Sequence, residues 1–182
     1  SPTTSKLVGL CDTPGSACKV DVVGDLAYMA DDTDGLVIID ISAPASPAIV
    51  ASYNTSGNAV DVVVQGQYAY IADGTGGLAI IDVSDLSALE LAATLNSSTY
   101  ELGVAVFGDY LYALGSGISI AVIDISAPET PSETGTLALG STARGMAIVG
   151  GYGYVACDSA GLVVLDISDQ SLPVLLGSCD TA

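Results

Sequence analysis

The chain repeats itself four times at a fixed interval of 42 residues. Asp40, Asp82, Asp124 and Asp166 fall on this period, as do Ser42, Ser84, Ser126 and Ser168. Tyr28, Tyr70, Tyr112 and Tyr154 follow it, and so do Gly24, Gly66, Gly108 and Gly150. No insertion or deletion interrupts it. A strict period of this length implies stacked supersecondary units, each too small to bury its own apolar face. Four units account for 168 of the 182 residues, so a single domain is expected, with 14 residues over.

Within one unit the apolar residues alternate with a period of two or run continuously, never at helical spacing. In unit two, residues 59–65 read as a strand ended by Gly66. Gly66-Gln67 leaves room only for a tight hairpin into Tyr68-Ala69-Tyr70-Ile71-Ala72. The turn Asp73-Gly74-Thr75-Gly76-Gly77 suits positive φ, and Leu78-Ala79-Ile80-Ile81-Asp82-Val83 is apolar enough to be buried on both faces. A connector then leads to a fourth strand at 91–96. Gly or Pro interrupts every segment long enough for a stable helix.

Four-stranded antiparallel sheets repeated at this spacing are β-propeller blades. A β-solenoid is the competing architecture, but its coils are usually shorter and lack hairpins. The expected class is therefore all-β, with blade one at 17–54, blade two at 59–96, blade three at 101–138 and blade four at 143–180. Inner strands are expected at 18–23, 60–65, 102–107 and 144–149, and outer strands at 48–54, 90–96, 132–138 and 174–180.

The run Leu36-Val37-Ile38-Ile39-Asp40-Ile41-Ser42, with Ala43-Pro44-Ala45-Ser46-Pro47 after it, resembles the LVIVD repeat. So does Ala69-Tyr70-Ile71-Ala72-Asp73 followed by Gly77-Leu78-Ala79-Ile80-Ile81-Asp82-Val83-Ser84. The resemblance extends over essentially the whole chain and is weakest at Gly115-Ser116-Gly117. It implies a propeller and a secreted or surface-attached setting, and it brings no catalytic motif.

Charge narrows the partners. The net charge is -18, and Lys6, Lys19 and Arg144 are the only formal cations. Three cations cannot neutralise a phosphate track, so nucleic acid and anionic membrane surfaces are excluded. No apolar run approaches the roughly 18 residues that span a bilayer, so no membrane insertion is expected. The chain starts at Ser1, which reads as a mature or excised product.

Catalysis has little to stand on. The sequence has no His, which removes the usual base and the commonest zinc ligand. The repeated Asp-(Ile/Val)-Ser reads as turn chemistry rather than a fourfold ligand site, because Asp and Ser side chains cap free N–H groups where strands end. The pairs Tyr68/Tyr70, Tyr110/Tyr112 and Tyr152/Tyr154 each share one strand face and are read as inter-blade packing rather than sugar platforms. Asp31, Asp32 and Asp34 form the most acidic turn and are a weak Ca²⁺ candidate whose spacing does not fit an EF-hand loop. Asn54-Thr55-Ser56 and Asn96-Ser97-Ser98 are sequons, so Asn54 and Asn96 are candidate glycosylation sites. No cofactor, metal or catalytic residue is expected.

The 14 surplus residues carry a duplication. Lys6-Leu7-Val8-Gly9-Leu10-Cys11-Asp12-Thr13 repeats four periods later as Val174-Leu175-Leu176-Gly177-Ser178-Cys179-Asp180-Thr181. Residues 6–13 are therefore expected to form an extra outer strand, the seventeenth. Cys11, Cys18, Cys157 and Cys179 map to the junction of blades four and one. Four cysteines in a surface-type chain suggest two disulfides. Cys11–Cys179 with Cys18–Cys157 is the favoured pairing, and Cys11–Cys18 with Cys157–Cys179 the alternative. The expected partner is another copy of the chain, joined by donation of strand 6–13 to blade four of its neighbour. This points to a non-enzymatic extracellular structural subunit forming a filament or surface array, and deleting residues 1–14 should leave monomers. The alternative is a glycan- or protein-binding module of a secreted adhesin.

Overall fold

A computed structural model describes residues 6–96, 102–115 and 117–181. Among them are sixteen strands in four antiparallel sheets, each ordered as the chain runs except that order is read from either edge. Sheet one holds β1 (Lys19–Val23), β2 (Leu26–Ala30), β3 (Leu36–Asp40) and β4 (Ala48–Tyr53). Sheet two holds β5 (Asp61–Gln65), β6 (Tyr68–Ala72), β7 (Leu78–Asp82) and β8 (Glu90–Leu95). Sheet three holds β9 (Gly103–Phe107), β10 (Tyr110–Leu114), β11 (Ser119–Asp124) and β12 (Ser132–Ala138). Sheet four holds β13 (Ala143–Val149), β14 (Tyr152–Cys157), β15 (Gly161–Asp166) and β16 (Val174–Cys179).

The glycines that recur on the period explain the hairpins. Gly24, Gly66, Gly108 and Gly150 open the two-residue loops between first and second strands, with φ of 61°, 63°, 60° and 58°. A side chain with Cβ avoids that region, so glycine recurs there. Each third-to-fourth strand ladder shifts register at one repeated place: after Ile38, Ile80, Val122 and Val164.

The inner strands β1, β5, β9 and β13 pack against one another in chain order. Between the sheets lie three apolar cores. Tyr28, Leu36 and Ile38 of sheet one meet Val62, Ile71 and Ile81 of sheet two. Tyr70, Leu78 and Ile80 meet Val104, Leu111 and Ile123 in the next. Tyr112, Ile120 and Val122 meet Val155, Val163 and Leu165 in the third. Among the described residues none of these clusters joins sheet four to sheet one, which leaves each of those sheets with one face outside the three cores.

Two expectations need correction. Residues 6–13 form no strand. Their repeat equivalents pair with the third strand of their own blade, and among the described residues no such strand lies before β1 to pair with 6–13. Cys157 does not face the junction of blades four and one; it is buried in the core between sheets three and four. The turn expected after β6 is present and takes the form of a short 3-10 helix, Gly74–Gly76.

Candidate functional site

The three internal interfaces show what each repeated position is for. The second-strand tyrosine leans on the following blade: Tyr28, Tyr70 and Tyr112 are 5%, 1% and 0% exposed. Burial pushes the phenols of Tyr70 and Tyr112 up to about 12. The Tyr112 hydroxyl donates to the Gln170 carbonyl of blade four at 2.9 Å.

Sheet four carries the same residues with nothing on them. Tyr154 and Leu162 are each 38% exposed, whereas Leu36, Leu78 and Ile120, at the position of Leu162, are fully buried. Ala156 on the same face is exposed and Val164 is half-buried. Every residue of β16 is exposed. These exposed side chains form a contiguous apolar patch on the outer side of sheet four.

Sheet one presents the complementary face. Val20 is 52% exposed, although Val62, its equivalent one unit on, is only 4% exposed. Ala27, Val37 and Ile39 on this face are buried, with Met29, Ile41 and Cys11 against them. Their cover is the N-terminal segment. Gly9 lies so close to the β3–β4 connector that a Cβ there would sit 2.2 Å from the Pro44 carbonyl oxygen.

A pair of hydrogen bonds fixes that segment. Thr13 Oγ1 donates to Asp31 Oδ1 at 2.8 Å, and the Gly15 N–H donates to Asp31 Oδ2 at 2.8 Å. One unit later, Thr55 Oγ1 donates to Asp73 Oδ1 at 2.5 Å and the Gly57 N–H to Asp73 Oδ2 at 2.8 Å. Asp31 and Asp73 are both fully buried. Residues 6–15 thus follow the path that 48–57 take between blades one and two. They stand where the outer strand of a preceding blade would stand.

This latch escaped the sequence analysis, although its signal was there: Thr13 with Asp31 and Thr55 with Asp73 share one spacing. It also accounts for the acidic turn. Asp31 is occupied by Thr13 and Gly15, and Asp32, at φ 52°, accepts from Asn58 Nδ2 at 2.6 Å. Among the described residues no group of three or more His, Cys, Asp or Glu is placed to hold a metal ion.

The other candidates sort as follows. Each Asp-x-Ser motif is a local turn: Ser42, Ser84, Ser126 and Ser168 donate their N–H to Asp40, Asp82, Asp124 and Asp166 at 2.8–2.9 Å. None of the expected disulfides is formed, neither Cys11–Cys179 with Cys18–Cys157 nor Cys11–Cys18 with Cys157–Cys179: Cys11 is half-buried, Cys18 and Cys179 are exposed, and Cys157 is buried between sheets three and four. Asn54 is exposed just beyond β4. Asn96 is exposed too, but Ser97 and Ser98 of its sequon lie outside the described residues, as does Ser116 of the weakest LVIVD-like turn. A groove of about 300 Å³ runs along the inner strands, and its carboxylates Asp21 and Asp61 are engaged by the Val64 and Val104 N–H groups.

The LVIVD repeat model matches at residues 14–55, 56–97, 102–138 and 140–181. The chain belongs to the LVIVD-repeat family. Among solved structures it is similar to a functionally unknown protein from Desulfotomaculum acetoxidans, with TM-score 0.78, 17% identity and coverage of 98% of this chain and 61% of that one. It is similar to BamB from Moraxella catarrhalis, with TM-score 0.67, 14% identity and coverage of 91% and 49%. It is also similar to the computationally designed Ika4 protein, with TM-score 0.70, 9% identity and coverage of 89% and 98%. At these identities the likeness shows the β-propeller fold alone. The chain spans about half the length of BamB. No curated protein matches it in sequence. Neither the family description nor these likenesses point to catalysis.

Proposed function

We propose that this LVIVD-repeat chain is a non-enzymatic structural module of the cell exterior that joins copies of itself head to tail, sheet four of one on sheet one of the next. The observation that carries this is positional. Tyr154, Ala156, Leu162 and Val164 are the equivalents of Tyr28, Ala30, Leu36 and Ile38. Those residues pack on Ala59, Val62, Ala69, Ile71, Ala79, Ile81 and Val83. Three periods on from that interface, the matching acceptor surface is Ala17, Val20, Ala27, Met29, Val37, Ile39 and Ile41 of another copy. The contact between copies would therefore repeat one the chain already makes three times. Such a contact is heterologous, so it gives a ring when the rotation closes and a filament or surface array when it does not. A ring of two chains would match the length of BamB, half of which one chain covers. The exposed Asn54 of its sequon suits an extracellular setting.

Sedimentation velocity over a concentration series, in about 0.15 M salt to screen the repulsion between copies, tests the reading. Assembly is expected, and Leu162→Asp should abolish it without changing the far-ultraviolet circular dichroism. Electron microscopy then separates rings from filaments. A chain that stays monomeric at millimolar concentration overturns the proposal and leaves further repeats or a different partner as the occupant of sheet four.

A further inference from the structure

One seat on this molecule has two claimants. If copies dock as proposed, residues 6–13 of the incoming copy and residues 174–181 of its neighbour fall on the same place, because they are equivalent positions four periods apart. The two segments share Gly9 and Gly177, Cys11 and Cys179, Asp12 and Asp180, and Thr13 and Thr181. Both cannot lie on sheet one at once.

We propose that residues 6–13 are a stand-in cap, and that the seat they hold on sheet one is the docking site for residues 174–181 of a second copy. The inference rests on the head-to-tail contact above and decides which strand fills it.

The tail is already shaped for the seat. At Gly35, which has φ +72°, a Cβ would lie 2.4 Å from the Tyr53 carbonyl oxygen and 2.5 Å from the Thr55 nitrogen. At Gly161, with φ +65°, it would lie 2.3 Å from the Cys179 carbonyl oxygen and 2.8 Å from the Thr181 nitrogen. The chain thus leaves sheet four over Gly161 by the same route it takes out of sheet one over Gly35. That route carries Thr55 onto the buried Asp73 of the next blade. It leaves Thr181 exposed at the corresponding point, where no blade among the described residues receives it. Docked, the Thr181 hydroxyl would replace Thr13 on Asp31 of the second copy, and Cys179 would replace Cys11 over Ala27, Val37 and Ile39.

Unequal attachment sets the direction of exchange. β16 is held by a ladder to β15, running from Leu162 opposite Cys179 to Asp166 opposite Val174. Pulling it away would break that ladder and bare an edge. Residues 6–13 are in no ladder. What they lose on release, a Thr hydroxyl bond and a Cys contact, the tail returns in kind. Gly15, beyond Pro14, keeps its own bond to Asp31. The cheap exchange is therefore release of the cap, with β16 left in place. This reverses the expectation that residues 6–13 are a donated strand: they compete with the partner rather than join it.

Two conservative variants at equivalent positions decide it, since each removes one hydroxyl bond to Asp31 from a different claimant. Sedimentation velocity of the whole chain is compared with Thr13→Ala and Thr181→Ala, with circular dichroism confirming the fold of each. Thr13→Ala weakens only the cap and should lower the assembly midpoint concentration, and Thr181→Ala should raise it, each by roughly fivefold. A chain beginning at Pro14, if it folds, should assemble at lower concentration still. The reverse pattern, with Thr13→Ala raising the midpoint, makes 6–13 a donor strand and overturns the cap while sparing head-to-tail assembly. Equal midpoints for all three chains also overturn it. If no variant assembles, the head-to-tail reading itself has failed.

Discussion

Sheets two and four are built from the same repeat and live in different surroundings. Sheet two has a blade on either side; sheet four has one. Tyr70 and Tyr154 occupy one repeat position, yet the first is 1% exposed and the second 38%. Leu78 is fully buried and Leu162 is 38% exposed. The difference belongs to neighbourhood, not to residue type. In a repeat protein, a side chain whose siblings are all buried shows what an adjoining unit covers at that position.

Mutation at that pair tests the comparison most severely. Tyr70→Ala should cost about 3–5 kcal/mol in denaturant unfolding, because it empties a filled site between two sheets. Tyr154→Ala should cost the isolated chain less than about 1 kcal/mol, as a half-solvated ring forfeits little on removal. Comparable losses at both positions would mean that the face of sheet four is already covered, and the comparison would collapse.

The two latches give a smaller contrast. Asp73→Ala removes the acceptor for Thr55 and Gly57 between two complete blades and should cost about 2–3 kcal/mol. Asp31→Ala removes the acceptor for Thr13 and Gly15, where only a single segment is held. That segment can swing into water, so the loss of stability should be about 1 kcal/mol, with faster hydrogen exchange confined to the first strand region. If Asp31→Ala unfolds the chain as readily as Asp73→Ala, the N-terminal segment is part of the core and not a removable cap.

Much of this was legible in the residues. The period placed the sheets and the hairpin glycines placed the turns, because both are local consequences of where Cβ is tolerated and how often apolar residues recur. The LVIVD-like third strands Leu36–Asp40 and Leu78–Asp82 were found where continuous apolarity put them. The state of residues 6–13 was not legible. Their sequence is that of an outer strand, and a strand exists only when a neighbour offers its edge. Cys157 was misplaced for a related reason. Its strand end was assigned correctly, but the direction in which the fourth blade leans put the thiol on the inner side of that blade, against Leu139 and Val155. Segment type follows from local pattern; which side of a blade is open follows from how the stack ends.

The smallest expected effect is a control on all of this. The Asp-x-Ser turns are alike in every blade, so they should ignore the difference between interior and terminal sheets. In each, the hydroxyl and N–H of the Ser two residues on bond the carboxylate and hold Asp40, Asp82, Asp124 and Asp166 below the usual carboxylate value. A folded-state value below the unfolded one contributes stability above the unfolded value, lost as pH falls through the folded one. These four turns should therefore steepen acid unfolding below about pH 4. Asp61 acts in the opposite sense, because burial raises its carboxyl, so its contribution is present at low pH and lost as pH rises through the raised value. Asp82→Asn and Asp166→Asn should each flatten the acid limb slightly, and equally, in thermal scans between pH 2.5 and 5. A larger effect at Asp166 than at Asp82 would show that the terminal blade differs from the interior ones even in its local turns, and an open face would no longer be the whole of the difference between them.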